Sequence, residues 1–179
     1  MRTKDLALGG ILTALSVVIL YISYILPTSQ LTMFALATFV VILGYIRGSL
    51  KTATLIYLST SLLCFLLIPL QVTIVYVLFF GNYGIVKSFI ESQNKYLLEY
   101  ILKLIYFNVV GFLDLYLTYT LFGYTIFDGI LITLSGLAPS LGLSMHLLII
   151  WAILQVIFLV FDYAINLLID EYYKKFSRI

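Results

Sequence analysis

A single histidine and a single cysteine, His146 and Cys64, bound the chemistry open to this 179-residue chain. One of each excludes a disulfide or a Cys-based metal site within one chain and most other metal and nucleophile constellations, and Cys64 reads as a small buried apolar residue. The carboxylates are the other reactive groups, and two of them, Asp114 and Asp162, interrupt long apolar runs. A carboxylate pair can do aspartyl chemistry, but these two fall at different depths of their runs. The sequence also lacks H-E-x-x-H, a P-loop, G-x-S-x-G and G-x-G-x-x-G. The chain therefore reads as a non-enzyme, with no cofactor, no metal and no nucleotide site to energise transport by itself.

The polar residues of the apolar runs fall into stripes. Trp151, Gln155, Phe158, Asp162, Asn166 and Asp170 recur at steps of three and four, which is one helical face. Its outer part pairs an aromatic platform, Trp151, with the amide of Gln155; its inner part holds Asp162 and Asn166. On the preceding run Lys103, Phe107, Val110 and Asp114 share a face. Polar groups at membrane depth are costly and turn to the bundle interior, where a carboxylate needs a partner or a proton. Asp162 reads as a salt-bridge partner of Lys103 or Lys87, as a coupling element or as a ligand contact. Asp114 has no cation at equal depth, so hydroxyls, a ligand or an ion would hold it. Trp151 with Gln155 reads as interior packing or as a pocket wall. Gln30 and Gln71, at the outer ends of two links, read as loop amides or as a roof; His146 lies at the outer mouth. The candidate substrate-binding set is Gln30, Asp114, His146, Trp151 and Gln155.

These residues must be positioned by membrane helices. The chain is 63% hydrophobic and 10% charged, well below the roughly 25% charge of a soluble domain, and its mean hydropathy is +1.15. The expected fold is all-α: one polytopic membrane domain, residues 1–179, long enough for six spans at ~20 residues each plus short loops. They are Leu6–Leu26, Met33–Ile46, Thr52–Ile68, Gln71–Val86, Leu104–Phe122 and Met145–Ile169. The first is too long for a signal-peptide core and no small-residue cleavage site follows it, so it reads as a retained span. Every Lys and Arg falls in four places: Arg2 and Lys4; Arg47 and Lys51; Lys87, Lys95 and Lys103; Lys174, Lys175 and Arg178. With six spans all four lie on one side, which the positive-inside rule makes the cytoplasm, together with both termini. The outer segments Pro27–Thr32, Pro69–Leu70 and Gly123–Ser144 hold no Lys or Arg. Ile126–Leu137 is too short for a comfortable seventh span and reads as an outer-face cap or re-entrant piece. The cations flank membrane segments rather than forming a nucleic-acid surface, and the bilayer is the first partner. The expected location is the cell membrane, as a multi-pass protein.

Two local patterns stand out. Leu78–Asn108 is the one long interior stretch where charge interrupts the apolar chain, either as a cytoplasmic hairpin or as a working centre. Glu99 with Lys103, and Lys95 with Glu99, are i,i+4 pairs suited to a solvated hairpin. Its shoulders, Gly81–Lys87 and Lys103–Asn108, enter the membrane beside Asp162, and Gly81–Gly84 could break the helix. Asn82, Lys87, Lys103, Asn108 and Asp162 are thus expected to form an inner polar lock. In the first span Ala7, Gly10 and Ala14 make a small-residue stripe, which permits close helix approach either within the chain or to another membrane subunit.

With these features the chain resembles the substrate-binding S components of energy-coupling-factor (ECF) vitamin transporters, over nearly its whole length and mostly in architecture. In that family an AxxxA-like stripe of the first helix docks the coupling transmembrane subunit; the equivalent here is Gly10-x-x-x-Ala14, with Ala7 one turn earlier and glycine in place of the first alanine. The chain is also similar to an uncharacterised Firmicutes group of S-component-like proteins with an FFGYYPxxK…K…FN-like pattern and an FxxYDYA-like last helix. Here these are Phe79-Phe80-Gly81-Asn82-Tyr83-Gly84-Ile85-Val86-Lys87, then Lys103 and Phe107-Asn108, then Phe158-Leu159-Val160-Phe161-Asp162-Tyr163-Ala164. Asn82 and Gly84 replace the aromatic and the proline. The resemblance implies capture of a small vitamin-like molecule in an outward-opening pocket, and association with a coupling subunit and two ATPases. Two other classes stay open: a non-transport membrane interaction or assembly protein without a ligand pocket, and a membrane enzyme or independent carrier.

Overall fold

The computed structural model of the chain describes residues 3–92, 96–123, 126–137 and 142–176; Arg2, Lys95 and Arg178 lie outside them. The described residues are helical throughout their regular structure. In chain order they form α1 (Thr3–Ile25), a short 3₁₀ turn (Pro27–Ser29), α2 (Gln30–Arg47), α3 (Leu50–Leu67), α4 (Leu70–Val75), a π-helical turn (Tyr76–Phe80), α5 (Gly81–Glu91), α6 (Tyr96–Phe122), α7 (Ile126–Leu137) and α8 (Leu143–Phe176). Six helical stretches are long and apolar enough to cross a membrane, the fourth being the continuous path Leu70–Glu91. The chain is a multi-pass membrane protein. Ile126–Leu137 is a helix of twelve residues and is not among the six.

The helix ends follow from local sequence. Pro27 disfavours helical backbone at the residue before it, and α1 stops at Leu26, whose φ and ψ are −113° and 77°. Ile68 takes extended backbone before Pro69 and ends α3 in the same way. The side chain of Ser49 caps α3 by accepting from the Thr52 amide at 3.4 Å. Gly123, at φ 72°, closes α6 with its amide on Tyr119 O, a left-handed position that glycine takes without strain.

Two compact units emerge, Met1–Gly111 and Phe112–Ile179. In the first, α1, α2 and α3 pack mutually and α5 packs on α2 and α3. Its core joins Leu12 of α1, Val40 and Val41 of α2, and Ala53 and Ile56 of α3. In the second, α7 packs along α8. Small residues set the helix spacing of the first unit, as membrane helices lacking a hydrophobic drive between them require. A Cβ on Gly84 would stand 3.0 Å from Thr38 O, so α5 lies almost against the α2 backbone.

The fourth span is irregular at its centre. Within Tyr76–Phe80 the turn widens, and the Gly81 amide donates to Tyr76 O, five residues back. Three carbonyls of this turn accept side-chain hydroxyls from three other helices. Tyr57 of α3 donates to Val77 O at 2.8 Å, Tyr106 of α6 to Phe79 O at 2.9 Å and Thr38 of α2 to Phe80 O at 2.8 Å. Thr38 also lies 2.9 Å from Phe34 O, so its one proton is shared between two acceptors. The irregularity sits one turn before the glycines that suggested a break. Gly81 and Gly84 belong to regular helix, and what they supply is room, since a Cβ at Gly81 would stand 2.8 Å from Tyr76 Cζ and 2.9 Å from Tyr57 Cδ2.

Thr38→Val keeps the β-branched shape and removes the donor to Phe80 O. It is expected to lower unfolding free energy in micelles by about 1 kcal/mol, and Gly84→Leu by about 2 kcal/mol through overpacking against Thr38. Equal stability of both variants and the parent protein would rule out a structural role for this contact.

Candidate functional site

Where α5 meets the start of α6, large side chains fill the gap in two layers. The upper layer is aromatic. Phe79 meets Phe107 edge to face at 5.7 Å between ring centroids, and Tyr83 meets Tyr106 at 5.5 Å. Phe79 also meets Phe80 edge to face, and Phe80 stacks on Phe34 of α2 at 4.5 Å, so the layer runs on into α2. Such ring pairs add about 0.5–1.5 kcal/mol each beyond the area they bury.

One helical turn further along both helices the contact becomes ionic. Lys87 follows Tyr83 by four residues and Lys103 precedes Tyr106 by three, so the ring layer and the ammonium layer share the same two faces. Lys87 Nζ and Lys103 Nζ each lie 2.6 Å from Glu91 Oε1. The side chain of Lys87 is 1% exposed and that of Lys103 8%, whereas Glu91 is 31% exposed. One carboxylate oxygen therefore receives two charge-assisted hydrogen bonds, one within α5 and one across to α6. Lysine is almost never this buried unless paired, and the Glu91 carboxylate offsets part of the desolvation cost.

Lys87 and Lys103 are thus brought together, and the group that joins them is Glu91, which sequence reasoning left in the solvated hairpin. The signal for it was the Lys87–Glu91 spacing of four, an i,i+4 pair passed over in favour of Lys95, Glu99 and Lys103. Asn82 is half-buried at the start of α5, five residues from Lys87 and so about 140° around the helix from it. Asn108 is exposed and donates through Nδ2 to Leu104 O at 2.8 Å, within its own helix. Asp162 is buried on α8, in the second unit, where Phe158, Phe161 and Ile165 share its buried side.

The substrate candidates divide between the units. Gln30 opens α2 and is half-buried. The other four belong to the second unit. The buried side of α8 runs through His146, Ile150, Phe158, Phe161, Asp162 and Ile165, so the stripe read in the sequence is buried at Phe158 and Asp162, while Trp151 is 53% exposed. Gln155 is half-buried. His146 is buried, and its Nδ1 lies 3.1 Å from Gly142 O. A carbonyl only accepts, so Nδ1 carries the proton and a neutral His146 presents Nε2 as an acceptor. Nε2 is buried with no hydrogen-bond partner among the described residues, and so is Asp114 Oδ1 on α6. Both atoms accept hydrogen bonds and lack donors. Among the described residues no three of His, Cys, Asp and Glu converge as metal ligands would.

The small-residue stripe of α1 points outward. Ala7, Gly10 and Ala14 are exposed, while Gly9, Leu12, Thr13, Ser16, Leu20 and Ser23 form the buried face. A Cβ on Gly10 would meet nothing within 4 Å.

Comparison of the chain with protein-family models, with curated proteins and with solved structures finds no match.

Glu91→Gln is expected to lower stability by about 2 kcal/mol, below the usual 3–5 kcal/mol for breaking a buried pair because Glu91 is partly solvated. Lys103→Met should couple to it in a double-mutant cycle read by unfolding in detergent. Strictly additive losses would show that the bridge across to α6 contributes nothing.

Proposed function

We propose that this protein is the membrane-embedded substrate-binding subunit of an ECF-type importer, which captures a small vitamin-like molecule on the outer face of the cell membrane and works with a coupling transmembrane subunit and ATPases. The observation that carries this reading is the two-sided α1. Its hydroxyl-bearing face is used up in packing on α2 and α3, and its Ala7, Gly10 and Ala14 face is open. A second membrane helix can approach such a face to backbone distance.

The second unit supports the binding half of the reading. Asp114 Oδ1 and His146 Nε2 are shielded acceptors without donors among the described residues. Leaving such atoms unsatisfied costs about 1–3 kcal/mol each, and a ligand bearing N–H or O–H groups would recover it. Apolar walls with a few such polar contacts suit a small, mostly neutral ring compound. In this reading the Lys87–Glu91–Lys103 cluster lies on the cytoplasmic side and fixes α5 against α6. A non-transport assembly protein would use the same α1 face and would carry no ligand.

Because a Cβ at position 10 meets nothing within 4 Å among the described residues and Ala14 is exposed, the Gly10→Leu, Ala14→Leu double variant is expected to fold with unchanged thermal stability. It should still retain its ligand, detected by mass spectrometry of the purified protein, and lose at least tenfold in uptake by cells that also make the coupling subunit and ATPases. Uptake at the parent level would exclude α1 as the dock, and purified parent protein that never carries a small molecule would favour the assembly protein.

A further inference from the structure

The interior of the first unit changes character within one helical turn. Leu12 of α1, Val41 of α2 and Ile56 of α3 belong to one apolar core. α1 and α3 run in the same direction, because each is antiparallel to α2 across a short turn. One turn further toward the Pro27 end, the same three faces carry Ser16, Ala37 and Thr60, four residues on in α1 and α3 and four residues back in α2. All three are 0% exposed. Each is smaller than its counterpart in the core, so helices spaced by leucine, valine and isoleucine hold a serine, an alanine and a threonine between them. From the fourth span Tyr76, also 0% exposed, brings its hydroxyl beside Thr60, with Cys64 and Tyr57 of α3 as its other polar neighbours.

What sets this layer apart is where its hydroxyls go. A serine or threonine inside a helix commonly bonds the carbonyl one turn back, as Thr54, Ser61 and Ser88 do at 2.7 to 2.8 Å. Tyr57 donates to Val77 O and Thr73 to Cys64 O. Ser16 Oγ, Thr60 Oγ1 and Tyr76 Oη do neither. All three are shielded and have no hydrogen-bond partner among the described residues, one another included. Each can donate one hydrogen bond and accept others. Leu20, one turn beyond Ser16 and 1% exposed, bounds the layer on one side as Leu12 does on the other. No charge is close along these four segments. Asp5, Arg47, Lys51 and Lys87 are the nearest, each more than two turns from the layer.

We propose that this layer is a binding site for an ordered water molecule, held between α1, α3 and the fourth span by the hydroxyls of Ser16, Thr60 and Tyr76. The number and type of the groups select the occupant. A buried water makes about three hydrogen bonds, as donor and as acceptor, and three uncharged hydroxyls from three spans meet both needs. A cation would find no carboxylate here and an anion no cation. The leucines on either side leave a larger solute no length to occupy. The water spares three hydroxyls the cost of burial unbonded, and it links α1 to the span that carries the π turn. The site lies within the first unit, uses none of the substrate candidates and does not depend on transport.

The test is magic-angle-spinning NMR of the full chain in lipid bilayers, reading transfer of magnetisation from water to labelled serine and threonine side chains. Ser16 and Thr60 should receive it although they are buried. Thr73, equally buried with its hydroxyl on Cys64 O, should not. Tyr76→Phe keeps the ring and removes one of the three partners, so transfer to Ser16 and Thr60 should fall by about half. Thermal unfolding gives a second reading: Ser16→Ala and Tyr76→Phe act on one water, and their combined loss should fall short of additive. Transfer to Ser16 and Thr60 no greater than to Thr73 overturns the proposal, as does transfer undiminished in Tyr76→Phe. So does strict additivity of Ser16→Ala with Tyr76→Phe; if Thr60→Val alone then couples to Tyr76→Phe, those two hydroxyls bond one another directly.

Discussion

A carbonyl that loses its helical partner inside a bilayer has no water to turn to, and each such group costs several kcal/mol. The π-helical turn of the fourth span breaks the regular ladder midway along Leu70–Glu91. Its carbonyls are served by hydroxyls of Thr38, Tyr57 and Tyr106, carried on α2, α3 and α6. These three hydrogen bonds tie the fourth span to α2, α3 and α6 by direction as well as by apolar contact. The arrangement of α5 below the turn, with its tight glycine contacts and its ionic face, inherits that constraint.

The cluster below the turn works differently. Burying ammonium groups is unfavourable, and pairing them with a carboxylate restores only part of the cost. What Lys87, Glu91 and Lys103 supply is register. A long lysine on α6 reaches its carboxylate on α5 in few arrangements, and the Phe79, Tyr83, Tyr106 and Phe107 rings above it keep the same two faces together. In α1 the sidedness is the reverse of what the mean hydropathy suggests. The buried face carries Thr13, Ser16 and Ser23 and the exposed face Ile11, Leu15 and Val18. In a membrane protein the inside is where a hydroxyl is tolerated, because lipid is no better a partner for it than the interior.

Six membrane-crossing helices were legible in composition and proline positions, because a 20-residue apolar run has few other fates. Boundaries were legible where Pro27 and Pro69 enforce them. At the fourth span the helix extends to Glu91 rather than Val86, since hydropathy falls there before the helix does and Lys87 is buried despite its charge. The π turn left no mark in apolar periodicity, for Tyr-Val-Leu-Phe-Phe reads as any buried segment. Its partners, a threonine and two tyrosines on three separate helices, can be identified only once the helices are packed. The lysines of the cluster were visible as cations at the margin of apolar runs. Glu91 was hidden among other charges because solvated and bridging carboxylates have the same local sequence. On α8 the stripe drawn through polar residues follows the buried side at Phe158 and Asp162 and departs from it at Trp151, where His146 and Ile150 are the buried residues.

The π turn also has a consequence for phase. Such a turn is an α-helix with one residue too many, absorbed locally. Were the chain one residue shorter between Tyr76 and Phe80, the ladder would close into ordinary helix and everything from Gly81 onward would turn by about 100° relative to Leu70–Val75. Gly84 would leave the α2 backbone, and Lys87 with Glu91 would swing away from Lys103 together, their own pairing intact. The supernumerary residue thus behaves as a fixed angular offset between the two halves of one span. The half before the turn can pack by its own pattern while the half after it aims its charges at α6, a division that a regular helix of the same residues could not make.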